Sequence, residues 1–205
     1  MDSADRTETA PPPVSAASAI ADPGPLGLAA FALTTFMLSV FNAGIIHTAG
    51  LSAVVLPVAL FYGGLAQLLA GMWEFKKNNT FGALAFTSYG AFWLSFAALV
   101  KFVAPGLPPA GAHTAIGLFL LAWTIFTVLM TIAVVKVNGA LLAVFVVLTL
   151  TFICLTFGEL QEQANISKIG GWLGLLTAAL AWYTALAGLT ASTFKKSVFP
   201  VFPAK

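Results

Sequence analysis

Apolar residues run through this chain in long uninterrupted blocks, broken by short segments rich in charge and turn formers. The blocks cover roughly Leu26–Ile46, Leu51–Trp73, Phe81–Val103, His113–Val135, Val137–Phe157 and Ile166–Leu189. The breaks read GIIHTAG, EFKKNNT, APGLPPAG, KVNG and GELQEQANISK, and each holds turn formers, charge or both. About 20 apolar residues carry a helix across the hydrocarbon of a bilayer. The pattern therefore predicts an all-α integral membrane protein, a bundle of six transmembrane helices. KVNG is the tightest of the breaks, a short turn between the fourth and fifth spans.

Within the second block, FYGGLAQLLAGMWEFKK inverts the amphipathicity of a water-soluble helix. At 100° per residue, Gly63, Glu74, Gln67, Gly71 and Gly64 share one arc of about 100°. Tyr62, Leu65, Leu68, Leu69, Met72 and Trp73 lie elsewhere. In lipid no hydrophobic force drives helices together, and small residues permit the close packing that does. The glycine face is thus expected to point into the bundle. Gln67, near mid-membrane, would be costly facing lipid. It either holds helices together by a hydrogen bond or lines a wet permeation path. Glu74, near the end of the span, reads either as a solvated face residue or as a proton carrier.

Charge sets the orientation. Only 8% of the 205 residues are charged against 60% hydrophobic, whereas a soluble domain carries about 25% charge. An even number of spans places both termini on one face. That face holds Arg6, Lys76, Lys77, Lys136, Lys195, Lys196 and Lys205, and the other only Lys101 and Lys168. The positive-inside bias predicts both termini in the cytoplasm of a multi-pass plasma-membrane protein. Residues 1–21, rich in Ala, Pro, Ser and charge, read as a disordered cytoplasmic tail. Residues 22–194 read as the six-helix transporter domain, and 195–205 as a short basic cytoplasmic tail. A secretory signal is not expected at the start, because no basic stretch precedes an apolar core there; targeting is expected from the first span.

The remaining polar groups in the spans are sparse and mostly uncharged. The first span carries Thr34, Thr35, Ser39 and Asn42, and the third Thr87, Ser88, Tyr89, Trp93 and Ser95. With no Lys or Arg near mid-span, a transported anion would meet hydroxyls, amides and helix N-termini instead. Gln67, Asn42, Thr34, Thr35, Tyr62, Trp93 and Glu74 are the candidates for the pathway lining, although hydroxyls can also bond back to their own helix. The single cysteine, Cys154, builds neither a disulfide framework nor a metal site alone. His47 and His113 have no Cys, Asp or Glu at ligand spacing, and Ser, His and acid are not grouped for nucleophilic work. No cofactor, metal, enzymatic activity or nucleic-acid partner is expected. Trp73, Trp93, Trp123, Trp172 and Trp182 are candidates for membrane-interface belts or subunit contacts.

The segment DPGPLGLAAFALTTFMLS, with FYGGLAQLLAGMWEFKKNNTFGALAFTSYGAFWLS and GGWLGLLTAALAWY, resembles the acetate uptake transporter family, also called GPR1/FUN34/YaaH, of succinate-acetate permease type. The family signature is N-P-A-P-L-G-L. Here Asp22 stands at the Asn position and Gly24 at the Ala position, while Pro23, Pro25, Leu26, Gly27 and Leu28 agree. Asp can cap a helix start as Asn does, but its charge would weaken attraction of an anion. Pro25 suits a first helical turn. The resemblance implies transport of acetate and other small mono- or dicarboxylates such as succinate, generally with protons. It also implies a homo-hexamer with one pathway per subunit, narrowed by an apolar constriction at Phe31, Tyr89 and Leu148. These positions lie about 5 to 11 residues into spans one, three and five, or roughly 8 to 17 Å at 1.5 Å per residue, so one layer can hold all three. Either the neck opens, or the acid crosses neutral, or hydroxyls such as that of Tyr89 follow the anion.

A channel-like passive anion pathway and ammonia or ammonium export are the alternatives. Paired mid-membrane histidines of ammonium channels are missing, and the two Asn-Pro-Ala half-helices of water channels are reduced to one degenerate copy. A tetraspan-like interaction protein would need larger outer loops.

Overall fold

The computed structural model describes residues 20–48 and 50–204. Six helices are long and apolar enough to cross a membrane: α1 Gly24–Asn42, α2 Leu51–Lys76, α3 Thr80–Gly106, α4 Pro109–Val134, α5 Gly139–Leu160 and α6 Ala164–Phe194. All six lie where the hydrophobic blocks predict, with ends that differ by up to five residues: α1 stops short at Asn42, whereas α6 runs on to Phe194. The expected tail over 1–21 falls, apart from its last two residues, outside the described residues.

Local chemistry explains the boundaries. Asn79 accepts from Gly82 N at 3.1 Å and Asn138 from Leu141 N at 2.8 Å, so the breaks EFKKNNT and KVNG each supply the N-cap of the next helix. KVNG is therefore a true boundary despite its length. At the first helix Pro25 sits in the opening turn. Asp22 accepts from Gly24 N at 3.1 Å, closing a turn just before the helix rather than capping from the N-cap position, which Pro23 holds.

α2 is not uniform. Its Phe61–Ala66 segment forms a π-helical turn, the extra-wide kind often found beside functional sites. The wide turn carries Gly63 and Gly64 and delivers Gln67 as the first residue of the α-helical remainder. The predicted inward face holds: Gly63, Gly64, Gln67, Gly71 and Glu74 are all buried. Phe61, Leu65, Leu69 and Trp73 point outward from the same helix.

Small residues set the helix spacing. A Cβ on Gly71 would overlap Thr87 of α3, and one on Gly90 would come within 2.7 Å of Leu68 N. α1 and α6 meet where Gly171 faces the backbone of Ala43, and α6 also packs along α5. Hydroxyl pairs join the remaining helices: Thr124–Thr156 at 2.9 Å and Thr131–Thr149 at 2.8 Å between α4 and α5, and Thr151–Thr177 at 3.3 Å between α5 and α6. Most of these threonines also lie within reach of the carbonyl four residues back, so in each pair one hydroxyl can bond to its own helix while the other donates across to its partner.

The tryptophans divide. Trp73, Trp172 and Trp182 face outward as belts or contacts would. Trp93 is buried, and Trp123 packs against Tyr89, Phe92 and Phe126 in an interior aromatic cluster, so neither is part of a belt.

The segment after α6 is a strap rather than a free tail. It folds back across the turn between α4 and α5: Gly139 N donates to Phe202 O at 2.7 Å and Ala140 N to Val201 O at 3.2 Å. Tyr183 Oη donates to Pro200 O at 2.7 Å. The strap thus takes up backbone N–H groups at the start of α5 that have no partner within the helix.

Candidate pathway through the bundle

Three cavities lie in series through the bundle. The proximal vestibule, about 330 Å³, opens at the face carrying the start of α1, the end of α2 and the strap, and is lined by Asp22, Lys77, Asn138 and Val201. Deeper in, Gln67, Phe31, Tyr89 and Leu148 line it. A distal cavity of about 170 Å³ continues from Phe31 and Leu148 past Thr35, Trp93 and Ser39 to Asn42 and Glu159. A distal vestibule of about 610 Å³ shares Asn42, Glu159 and Ser167 with it and opens among His47, His113 and Lys168.

Phe31 and Leu148 border both the vestibule and the distal cavity, so they form the partition. Tyr89 stands edge-on to Phe31 with ring centroids 5.8 Å apart. Phe31, Tyr89 and Leu148, on three different helices, thus all line the proximal vestibule, a collar with Tyr89 against Phe31 beside the partition. The hydroxyl of Tyr89 lies 2.9 Å from Thr127 Oγ1. Thr127 Oγ1 also lies 2.7 Å from Trp123 O, and either hydroxyl of the Tyr89–Thr127 pair can donate. The Tyr89 hydroxyl is thus engaged on the α4 side and would have to leave Thr127 to accompany a passing carboxylate.

Donors and acceptors without partners lie on either side of the collar. Gln67 is 1% exposed, its Oε1 has no hydrogen-bond partner, and its amide lines the vestibule. Trp93 Nε1 and Thr35 Oγ1, both buried, have none either, and both residues line the distal cavity. Indole N–H is a donor only, and a free hydroxyl can turn its hydrogen outward. Buried polar groups normally find partners. Those of Trp93 and Thr35 are placed to supply two hydrogen bonds to an acceptor in the cavity.

Other candidates have different roles. Thr34 donates to Ala30 O at 2.8 Å and lies where a Cβ on Gly63 would stand, 2.5 Å from its Oγ1. It therefore packs α1 on α2 rather than lining a cavity. Tyr62 is half-buried and lines none of the three cavities. Asn42 lies at the junction of the distal cavity and distal vestibule. Glu74 is not a solvated face residue: it is 1% exposed and lines the proximal vestibule.

Within the signature, Gly27 admits the Phe86 ring, from which a Cβ would lie 2.6 Å, and Leu28 lines the vestibule while Leu26 faces out. Asp22 accepts from Lys77 Nζ at 2.7 Å, a contact between the start of α1 and the residue after α2. The lysine offsets the charge that Asp22 brings to the entrance. His113 also has a partner that spacing along the chain does not reveal: Nδ1 lies 2.8 Å from Glu159 Oε2, joining α4 to α5 at the distal mouth.

Comparison with known proteins agrees with this architecture. The model of the GPR1/FUN34/yaaH family matches residues 7–204. Acetate permease A of Emericella nidulans is 42% identical over 88% of the chain, which spans 65% of that longer protein. The succinate-acetate/proton symporter SatP of Escherichia coli is 38% identical over 89% of the chain and 95% of its own length. The solved structure of the bacterial acetate channel SatP superposes with a TM-score of 0.82 at 38% identity, covering 89% of this chain and 99% of that one.

Proposed function

We propose, from the plain fact that this chain belongs to the GPR1/FUN34/yaaH family, that it carries acetate and other small carboxylates across a membrane. The observation that supports this reading best is the series of cavities separated only by the Phe31–Leu148 partition, with hydrogen-bonding groups on either side. A carboxylic acid would donate to Gln67 Oε1 on one side of the collar and accept from Thr35 and Trp93 on the other. A cavity of roughly 150 Å³ holds a benzene-sized molecule, so the distal cavity fits an acid of two to four carbons. The lining is arranged for binding and passage; we assign it no catalysis.

Several finer points belong to the same reading. The proximal vestibule faces the cytoplasm, because among the described residues Lys76, Lys77, Lys136, Lys195 and Lys196 fall on its side and only Lys101 and Lys168 on the other. The assembly is a hexamer with one pathway per subunit, following the resemblance, and the outward apolar faces, such as Ile125 and Ile132 of α4, supply surface for lipid or neighbours. The plasma membrane is its site. Uptake is coupled to protons, since an apolar collar passes a neutral acid at far lower cost than a bare anion.

The test is uptake of labelled acetate into liposomes holding the purified chain, with and without an inward proton gradient, after subtracting the leak of protein-free liposomes. Saturable uptake driven by the gradient supports a proton-linked carrier, and saturable uptake indifferent to it supports a passive anion channel. No acetate above the leak, with ammonium flux instead, sinks the carboxylate reading.

A further inference from the structure

Among the described residues one ionisable group beside the collar has no ion-pair partner, although Lys77 attracts it from a distance. Glu74 lies two turns beyond Gln67 on the polar face of α2 and borders the same vestibule as Phe31 and Tyr89. Asn79 Nδ2 donates to its Oε2 at 2.8 Å. Among the described residues nothing donates to Oε1. Two glycines make the recess in which the carboxyl lies: a Cβ on Gly82 would come 2.9 Å from Glu74 Cδ, and one on Gly24 would lie 3.7 Å from Oε1.

The surroundings do not neutralise it. Lys77, next along from α2, is bound to Asp22 at the start of α1. Lys76 faces outward. Toward the same vestibule α3 presents Asn79, Phe81 and Gly82, and α5 presents Leu141 after the Asn138 cap. α6 adds Thr184 and Gly188, and the strap Val201, none of them charged. Tyr89, deeper in, is paired with Thr127. An uncompensated charge buried in a membrane protein is expensive, and a fixed carboxylate would repel the anion this vestibule passes. Two carboxyl groups that share a site resolve the conflict by sharing a proton.

We propose that Glu74 is the proton-exchange site of the pathway, taking the proton of an acid that arrives through the collar and returning one to a carboxylate that leaves by it. The exchange is R–COOH + Glu74–COO⁻ → R–COO⁻ + Glu74–COOH. The O–H bond of the substrate breaks, one forms at Oε1, and the proton then passes to water at the vestibule mouth. Asn79 holds Oε2, which leaves Oε1 as the oxygen that exchanges. Efflux runs the same steps backward. This assignment rests on the carboxylate reading above and gives a named residue to its proton coupling.

The experiment measures efflux of labelled acetate from liposomes holding the full chain, sorted by the accessibility of an N-terminal tag so that the proximal face is known. The pH on that face is varied while the other is held constant. Without Glu74, an anion at the proximal face must draw its proton from water, and the neutral fraction of a free carboxylic acid falls about tenfold per pH unit above its pKa. Glu74→Gln is expected to show that full tenfold fall per unit, with the wild type markedly shallower. Glu74→Asp keeps a carboxyl and is expected between the two; it also carries the test if the Gln variant fails to fold. A Gln variant, or failing that an Asp variant, with the wild-type pH profile overturns the assignment. Wild-type protein with no acetate flux above protein-free liposomes removes the carboxylate reading and this one with it.

Discussion

Replacing Gln67 by Met separates a lining residue from a packing residue, because the two roles predict opposite changes in stability. Met is unbranched and fills irregular interior space readily, so Gln67→Met removes the amide with little change of shape. A buried polar group without a partner costs about 1–3 kcal/mol in mutational series. Gln67 borders a wettable vestibule, which reduces that cost, so the variant should gain between zero and about 1 kcal/mol. For a chain of this size that is a rise in Tm of up to about 4 °C. Flux should move the other way. A hydrogen bond between neutral partners contributes about 0.5–1.5 kcal/mol; losing it on the approach to the collar slows passage roughly two- to tenfold. The assay pairs thermal unfolding in detergent with labelled-acetate uptake per folded molecule in liposomes. A Tm that drops by several degrees with unchanged flux would refute the lining role and make Gln67 an interhelical tie.

Three further outcomes follow from the geometry. Phe31→Ala removes half of the partition between the vestibule and the distal cavity; the flux of bulky carboxylates such as benzoate should rise relative to acetate, and an unchanged ratio would place the neck elsewhere. Its stability loss should fall below the 3–5 kcal/mol or so of a fully packed Phe→Ala, since cavities lie on both sides of the ring. Gly71→Val drives a side chain into Thr87 and parts α2 from α3, at a cost of about 1–3 kcal/mol or more; an unaltered Tm would show that these helices do not meet there. Ending the chain at Phe199 takes the Val201 and Phe202 carbonyls from Ala140 and Gly139. Each lost hydrogen bond is worth about 0.5–1.5 kcal/mol, and amide exchange at the start of α5 should quicken while mid-helix amides stay protected.

The six spans were legible because the bilayer imposes them: each backbone polar group must be satisfied within its own segment, so length and hydropathy suffice to find them. The inward face of α2 was legible for a related reason, since glycine and glutamine cannot usefully face lipid. Other features depend on distance in space. His113 and Glu159 are 46 residues apart in the chain and meet only when α4 lies along α5. Asp22 and Lys77 meet across 55 residues, and a charge that looked hostile to anions became one half of a pair. The π-helical turn at Phe61–Ala66 has no hydrophobic period of its own, and the role of Thr34 depends on Gly63 opposite it. The burial of Glu74 follows from two glycines on other helices, Gly24 and Gly82, and from an asparagine cap whose side-chain nitrogen is free to bind it. No pattern along α2 alone records any of these.

The lining has a consequence for how strongly anything binds. Of the fixed charges on its walls, Asp22 is paired with Lys77 and Glu159 with His113, and the collar contributes aromatic and aliphatic surface only. What is left to hold a carboxylate beside the collar is neutral: an amide, a hydroxyl and an indole N–H, with the Lys168 ammonium farther out in the distal vestibule. Neutral donors stabilise an anion less than a guanidinium or ammonium would, so each station is shallow. Shallow wells on both sides of a dry partition suit rapid passage better than retention, because a tightly held anion would have to give up its hydrogen bonds before reaching a collar that returns none. An acid that leaves its charge behind at Glu74 and crosses neutral avoids that step. The same arrangement explains why an apolar neck can lie on the route of a charged solute without closing it.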